Sequence, residues 1–410
     1  MCHNYLVEKN IKDKKYLFDL KNMLLFDITI GFDEQLYKDI LSKTKNSNKL
    51  NSDTLPKIVL NISNTCNYNC LYCYASHGNY GRNDSLMSLD TLNNIMSELK
   101  SHGIKKIGVV ELFGGEPTLN PNLIEMVEKL SNSFYIGEFI ITSNGSGNKE
   151  VVQALSKYPI KYYISLDGPK EINDKLRGEG SFDTAMNFIM FLKKSNSNFT
   201  VATTYTKLHE DLGIEYEDLY EFAQEYDLAL RISTVISDNK LIKSNRLISS
   251  KMLSEELDRT IDNIYTGEKE INLDPFIMRI LKSLFLSTQS GYFCDDLDTK
   301  VSIHFDYDGS VYNCFKLWKD NRFKLNNIES RNEILDTFNN KDNFKLCKNC
   351  WAKYICEMCI ADTFLGKEEF PFLGNKCFKK NRYDLALEKV LETVADGRIK
   401  KIRDNFTKYL

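Results

Sequence analysis

Three cysteines in the amino-terminal third of the chain could bind one metal cluster. Cys66, Cys70 and Cys73 have the spacing Cys-x3-Cys-x2-Cys immediately after the apolar run 58–62, and Tyr72 precedes the last of them. Three thiolates at this spacing can hold one iron-sulfur cube and leave its fourth iron without a protein ligand. The motif therefore predicts a cluster with an open iron, where chemistry can take place.

Seven more cysteines are concentrated toward the carboxyl terminus. They are Cys294, Cys314, Cys347, Cys350, Cys356, Cys359 and Cys377. In a reducing compartment, thiols at such short spacings indicate metal ligation rather than disulfides. One zinc ion held by four thiolates is an alternative, but seven cysteines exceed what one tetrahedral ion needs.

Three short polar motifs each follow an apolar run between the two cysteine groups. They are Gly114-Gly115-Glu116-Pro117, Ser143-Asn144-Gly145 and Ser165-Leu166-Asp167-Gly168-Pro169. Each of them alone is typical of an ordinary turn. Because parallel strands place active groups at their carboxyl ends, the recurrence predicts that the motifs and the first cysteines share one site.

Alternating strands and helices must position these motifs. Apolar runs predict strands at 58–62, 107–113, 138–142, 162–166, 199–204 and 229–234. Ser88 is placed to cap a helix that begins at Leu89, and Asn120-Pro121 is placed to open another. Six alternations predict parallel strands with right-handed crossovers, wound into a barrel or laid open.

The sequence predicts five segments. A strand-rich α+β cap occupies residues 1–52, with a helix from Asp33 to about Lys43. An α/β domain follows at 53–236, then a helical bridge at 237–291, a cysteine-rich domain at 292–377 and a helical segment at 378–410.

Bulk properties narrow the function classes. A net charge of −3 over 410 residues gives no overall basic field for nucleic acid or an anionic membrane. The amino terminus lacks a signal-peptide pattern, and no apolar stretch is long enough to span a bilayer. We therefore expect a cytoplasmic protein that binds neither nucleic acid nor membranes.

The motifs together resemble those of radical S-adenosylmethionine (SAM) enzymes, whose hallmark is Cys-x3-Cys-x-aromatic-Cys at the end of a first barrel strand. The later cysteines are similar to those of the SPASM domain, a carboxyl-terminal module that binds auxiliary 4Fe-4S clusters. Here Cys356-x2-Cys359 is one residue shorter than the usual spacing. The resemblance implies a partial, TIM-like (β/α)6 barrel, with SAM and three 4Fe-4S clusters as cofactors.

The resemblance also implies how the cysteines are shared among the clusters. Cys66, Cys70 and Cys73 would hold the SAM-binding cluster. One auxiliary cluster would be held by Cys347, Cys350, Cys356 and Cys377, and the other by Cys294, Cys314 and Cys359. The last set is one ligand short, so one iron would be open or held by an aspartate, by Cys2 or by a substrate thiolate.

The same resemblance implies contacts with SAM for Tyr72, Gly114, Gly115, Glu116, Pro117, Ser143, Asn144, Ser165 and Arg177. Glu116 would accept from the ammonium of the methionine moiety, and Tyr72 lies where relatives contact adenine. Arg177 would pair with the carboxylate of SAM or would be a surface cation.

The resemblance implies an enzyme that modifies ribosomally made peptides. Thioether formation on a cysteine-containing precursor peptide with a leader is the first hypothesis, with a reduced flavodoxin or ferredoxin-type protein as electron donor. Carbon-carbon crosslinking, epimerisation and sulfatase maturation are alternatives, although Phe315, rather than the aspartate of sulfatase-maturating relatives, follows Cys314. A non-catalytic iron-sulfur or zinc protein is an alternative of another class. The amino-terminal segment resembles part of a leader-binding winged-helix element or is a plain cap.

Overall fold

The computed structural model describes residues 6–19, 21–43, 53–234, 250–267, 273–286, 291, 302–312, 314, 317, 321–328, 340–356, 372–373 and 376–409. The chain forms two compact units. The sheet unit lies within Leu50–Arg246 and Thr299–Ile334, and the helical unit lies within Met1–Lys49, Leu247–Asp298 and Leu335–Leu410.

The strands are β1 (Leu6–Ile11), β2 (Lys14–Asp19), β3 (Leu24–Asp27), β4 (Thr54–Asn64), β5 (Ser85–Leu86), β6 (Lys106–Gly114), β7 (Tyr135–Ser143), β8 (Ile160–Ser165), β9 (Asn198–Tyr205), β10 (Leu230–Thr234), β11 (Ser302–Phe305), β12 (Val311–Tyr312), β13 (Lys324–Leu325), β14 (Phe372–Leu373) and β15 (Lys376–Cys377). The α-helices are α1 (Glu34–Lys43), α2 (Leu89–Ser101), α3 (Leu123–Ser133), α4 (Lys149–Leu155), α5 (Lys170–Arg177), α6 (Ser181–Lys194), α7 (Lys207–Asp211), α8 (Tyr216–Glu225), α9 (Ser250–Thr266), α10 (Pro275–Leu286), α11 (Lys345–Lys348), α12 (Phe378–Ala395) and α13 (Ile399–Phe406).

A parallel sheet dominates the sheet unit. Its spatial order is β4-β6-β7-β8-β9-β10, and every neighbouring pair in this run is parallel. Ile58, Ile107, Ile141 and Ile164 are fully buried, as expected for strands covered on both faces. The predicted α/β class with alternating parallel strands is confirmed.

The sheet continues on the other side of β4. There β11 pairs with β4 in parallel, followed by antiparallel β12 and β13. These three strands were not predicted, because they are two to four residues long and carry too few alternations to be recognised.

Of the two predicted helix starts, that of α2 agrees with the structure and that of α3 does not. Ser88 caps α2 and accepts from the backbone amide of Thr91, as expected. The predicted opening of α3 at Asn120 was two residues early. The buried side chain of Asn120 instead donates to the carbonyls of Ile62 and Met87 at 2.7 and 3.0 Å, and so secures the end of β4.

In the described part of the helical unit, an antiparallel sheet packs with the helices α9, α10, α12 and α13. Strands β1, β2 and β3 pair in order, and α1 follows them, so the strands and helix predicted for this segment are present. Tyr16, Leu257, Ile280, Leu387 and Phe406 belong to one buried core that joins the sheet to α9, α10, α12 and α13. In the described part of the chain, no helix combines the length and apolarity needed to cross a membrane.

Candidate metal-cluster sites

The three-cysteine loop, which carries Cys66, Cys70 and Cys73, begins directly after β4. All three side chains are half-buried free thiols. Burial, with smaller contributions from the neighbouring Cys73 and Cys66, raises the pKa of the Cys70 thiol to about 11, so the three sulfurs lie in one electrostatic environment. A thiol of this kind loses its proton when a metal binds, and the donor set fits an iron-sulfur cluster.

A buried carboxylate joins the loop to the next strands. Glu116 follows β6 and is fully buried. Its Oε1 accepts from Ser143 Oγ at 2.9 Å and its Oε2 from the amide of Asn144 at 2.7 Å. The Asn144 side chain in turn donates to Asn67 Oδ1 at 2.8 Å and to Cys66 Sγ at 3.8 Å. Glu116 therefore positions the end of β7 against the first cysteine.

Close backbone packing explains the two glycines before Glu116. A Cβ on Gly115 would lie 2.2 Å from the carbonyl oxygen of Thr65, and one on Gly114 would lie 2.2 Å from that of Ser63. The amides of Gly115 and Glu116 donate to these same carbonyls at 2.8 and 2.9 Å. The glycines thus let β6 approach the start of the three-cysteine loop.

A second buried network holds the middle of the loop. Arg177 forms a two-pronged pair with Asp167, with Nε to Oδ2 at 2.7 Å and Nη2 to Oδ1 at 3.1 Å. The Tyr72 hydroxyl donates to Asp167 Oδ2 at 2.6 Å, and the guanidinium lies 5.4 Å from the Tyr72 ring centroid. Although burial disfavours the cation, Asp167 raises the pKa of Arg177. Arg177 is 8% exposed, which excludes the surface-cation alternative.

The predicted SAM-contact residues fall into two groups around the loop. Cys66, Glu116, Ser143 and Asn144 form one group, and Cys70, Tyr72 and Arg177 form the other through Asp167. Pro117 is buried at the start of a 3-10 turn, and Ser165 is the half-buried last residue of β8. Their contacts with SAM stay predictions.

The four-cysteine cavity is the space lined by Cys347, Cys350, Cys356 and Cys377 in the helical unit. Burial and the neighbouring Cys356 raise the pKa of Cys347 to about 12. Among the described residues, no group of three or more His, Cys, Asp or Glu side chains is arranged to hold a metal ion directly. Four thiols that line one cavity are the donor set that an iron-sulfur cube takes, with one thiolate on each iron.

Of the remaining predicted ligands, Cys314 alone lies among the described residues. Cys314 is buried in the sheet unit, where it raises the pKa of Tyr80 as a contribution secondary to burial. Cys294, Cys359 and Cys2 lie outside the described residues. The third ligand set therefore stays a prediction.

Sequence reasoning missed two buried charged residues that organise the sheet unit. The sequence placed Asp167 in the motif 165–169 as a turn residue or a ligand contact, whereas in the structure it anchors Tyr72 and Arg177. Asp306 accepts from Arg82 at 2.5 Å and from Asn61 at 2.8 Å, and so ties the loop after β11 to β4. The position of Asp167 immediately after a predicted strand was the signal that could have identified it.

Residues 60–223 match the model of the Radical SAM superfamily. This segment of the chain is therefore a radical SAM domain. An uncharacterized protein from Methanocaldococcus jannaschii is 32% identical over 165 residues, covering 38% of this chain and 54% of that protein. GTP 3',8-cyclase from Clostridium perfringens is 26% identical over 306 residues, covering 70% and 91%. Mycofactocin maturase MftC from Mycolicibacterium smegmatis is 30% identical over 175 residues, covering 42% of each chain.

Two solved structures share the fold. Native anSMEcpe with bound AdoMet has a TM-score of 0.62 at 19% identity, covering 85% of this chain and 99% of that chain. Streptococcus suis SuiB bound to precursor peptide SuiA has a TM-score of 0.52 at 16% identity, covering 92% and 99%. The chain spans only about half the length of the first relative and 42% of the maturase.

Proposed function

We propose that this chain is a radical SAM peptide maturase that installs a thioether crosslink in a ribosomally synthesised, cysteine-containing precursor peptide. The observation that carries the proposal is the presence of two distinct cysteine sites. A braced loop offers three thiols, and a separate cavity offers four that are spread over residues 347–377.

The residues of the first site suit a SAM-binding cluster. Cys66, Cys70 and Cys73 would hold it and leave one iron for the amino and carboxylate groups of SAM. When bound and reduced, this assembly supplies a 5'-deoxyadenosyl radical that abstracts a hydrogen atom from the substrate. The chain's own contribution is to fix the loop through Glu116 and Asp167 and to offer polar groups at the ends of β7 and β8.

The cysteines outside the three-cysteine loop suit a reaction that releases an electron, because the clusters that they would hold can accept it. In thioether formation the peptide loses a hydrogen atom from carbon and a proton from its thiol, a carbon-sulfur bond forms, and one electron remains. Clusters held by the four-cysteine cavity and by Cys294, Cys314 and Cys359 would accept it. The second set would also leave an iron able to bind the substrate thiolate.

A peptide substrate agrees with the relatives. MftC is named a maturase, and the SuiB structure holds a precursor peptide. We assign leader recognition to the β1–β3 sheet with α1, where Ile30, Phe32 and Leu36 are exposed apolar side chains. A reduced flavodoxin or ferredoxin-type protein would supply the electron that starts each turnover.

A nucleotide substrate is the second candidate, because the similarity to GTP 3',8-cyclase extends over 306 residues. The two candidates make different products from different substrates. GTP incubated with the chain, SAM and reductant would be consumed if the substrate is a nucleotide and would remain unchanged if it is a peptide.

The direct test uses a cysteine-rich peptide encoded beside this chain's gene. Anaerobic reaction with SAM and reductant should give a product lighter by two hydrogens, with one cysteine no longer open to alkylation. The triple variant Cys66→Ala, Cys70→Ala, Cys73→Ala is the matched control and should leave the peptide unchanged. A peptide of unchanged mass in ordinary water that gains one deuterium when the reaction is run in deuterated water would replace thioether formation by epimerisation. Consumption of GTP alone would overturn the peptide assignment.

A further inference from the structure

A buried lysine lies on the wall of the four-cysteine cavity. Lys341 is 2% exposed, and its backbone amide donates to the carbonyl of Gly291 at 2.9 Å. Its ammonium donates to the carbonyls of Lys353 and Cys356 at 2.8 and 2.7 Å. These two hydrogen bonds hold the ammonium beside the backbone of Cys356, one of the four cysteines of the cavity.

The other two lysines of this wall are in different environments. Lys353 donates to Asp342 at 2.6 Å, and this carboxylate raises its pKa although burial opposes the cation. Lys380 has 46% of its side chain exposed and lies 3.3 Å from Asp384. Lys341 is therefore the most deeply buried cation of the cavity wall.

A buried ammonium is costly unless negative charge lies nearby. Four cysteine thiolates around an iron-sulfur cube carry net negative charge, which increases when the cube accepts an electron. A fixed cation therefore stabilises the reduced state more than the oxidised state. Water cannot screen this interaction at a buried site as it does at the surface.

We propose that Lys341 is the fixed counter-charge of the cluster in the four-cysteine cavity and sets its reduction potential. The inference rests on the proposed function, because it requires a cluster in that cavity. It makes Lys341 a positioning residue for electron uptake, since the ammonium acts on the cluster and does not bind the substrate.

The test is a potentiometric titration of the reconstituted full-length chain, followed by electron paramagnetic resonance. The signal of this cluster is the one that disappears in Cys347→Ser. Lys341→Gln keeps donors for the two carbonyls but removes the charge. We expect its reduced-to-oxidised ratio at a fixed potential to fall at least about tenfold, or about 59 mV for a one-electron couple. Lys380→Gln removes the same charge from an exposed position and should change the ratio less than about threefold.

A second measurement separates charge from structural support. If Lys341 serves the cluster, the metal-free Lys341→Gln chain should unfold at the same temperature as the metal-free parent or higher. A lower unfolding temperature together with an unchanged potential would overturn the proposal. If Cys347→Ser retained all the iron of the parent, the cavity would hold no cluster, and the proposed function would fail together with this inference. An unmoved potential in an iron-loaded cavity would remove the role of Lys341 alone.

Discussion

The two cysteine sites differ in how the chain supports them. The three-cysteine loop is braced by side chains from several strand ends, chiefly Glu116 after β6 and Asp167 after β8. The four-cysteine cavity is built by local turns and short helices, with Lys341 bonded to backbone carbonyls on its wall. One site is positioned by a rigid sheet, whereas the other depends on cysteines from separate segments coming together.

This difference indicates different tasks. A site that must orient a small molecule benefits from ligands fixed by a preorganised hydrogen-bond network. A site with four ligands leaves no open iron and is suited to hold or pass electrons. The cysteines of this cavity are separated by up to thirty residues, from Cys347 to Cys377, so any metal bound by all four should couple its binding to folding.

The largest predicted effect is a difference between variants of the two cysteine sites. Both variants should lose the same amount of iron, but only one of them should lose SAM cleavage. The reconstituted chain should hold about twelve irons, as three cubes of four. Replacing Cys66, Cys70 and Cys73 by alanine should remove about four and abolish 5'-deoxyadenosine formation. Replacing Cys347, Cys350, Cys356 and Cys377 by serine should also remove about four but preserve 5'-deoxyadenosine formation.

Iron analysis and chromatography of the reaction products check this prediction. SAM cleavage that survives loss of the first three cysteines would contradict the assignment of the three-cysteine loop. Cleavage lost equally in both variants would mean that the two sites do not have separate tasks.

Breaking the buried ion pair should be the next largest effect. Asp167→Asn leaves the Arg177 guanidinium buried without its carboxylate, which should cost about 3–5 kcal/mol. Because the same carboxylate accepts from Tyr72, SAM cleavage should also slow. Urea unfolding and the initial rate of 5'-deoxyadenosine formation measure the two effects.

Asp183→Asn is the matched control for this change. Asp183 is an acidic partner of Lys170, and its side chain is 62% exposed. Its replacement should therefore lower the free energy of unfolding by less than about 1 kcal/mol. Equal losses in the two variants would show that Asp167 contributes no more than a surface charge.

A smaller effect is expected from filling the space at Gly115. In Gly115→Ala the new Cβ would collide with the carbonyl of Thr65, forcing β6 from the loop at a cost of about 1–3 kcal/mol. Iron bound by the three-cysteine loop should fall with it. Gly103→Ala meets no atom within 4 Å but has a φ of +75°, so it should show backbone strain of about 1 kcal/mol with iron unchanged. Full iron content in Gly115→Ala would refute the packing argument.

The sequence predicted the sheet because its strands carry their own signal. Strand β4 is buried on both faces from Ile58 to Asn64, and the apolar run of β6 over 107–113 is interrupted only by Gly108 and Glu111, so both runs identify their strands without tertiary information. Strand β11 has only four residues and is recognisable only beside β4. Its recruitment to the sheet could not be predicted from local pattern.

The sequence indicated which motifs lie together at the site, but it did not indicate which side chains are hydrogen-bonded to one another. The assignment of Glu116 and Asn144 to SAM stays a prediction, and the sequence did not indicate that Glu116 accepts from Ser143 and Asn144. The choice between ligand and neighbour depends on the direction of each side chain after the strands pack. The pairing of Arg177 with Asp167 likewise requires the start and end of α5 to be placed against the loop, which no spacing rule encodes.

The last effect concerns the acid stability of the sheet unit and involves neither cysteine site. His304 in β11 is buried, and burial, with a minor contribution from Lys57, lowers its pKa to about 3. Between pH 3 and 6.5 the unfolded chain therefore binds more protons than the folded chain, so stability is lost as pH falls through this range. The slope attributable to this residue is at most about 1.4 kcal/mol per pH unit.

Urea titrations of the parent and of His304→Asn measure this effect. The two free energies of unfolding should differ by a constant packing cost above pH 7, and the variant should lose less stability on acidification. Parallel pH profiles would show that His304 does not make the sheet unit sensitive to acid. SAM cleavage at pH 8 should be retained, because this change leaves the three-cysteine loop and its bracing network intact.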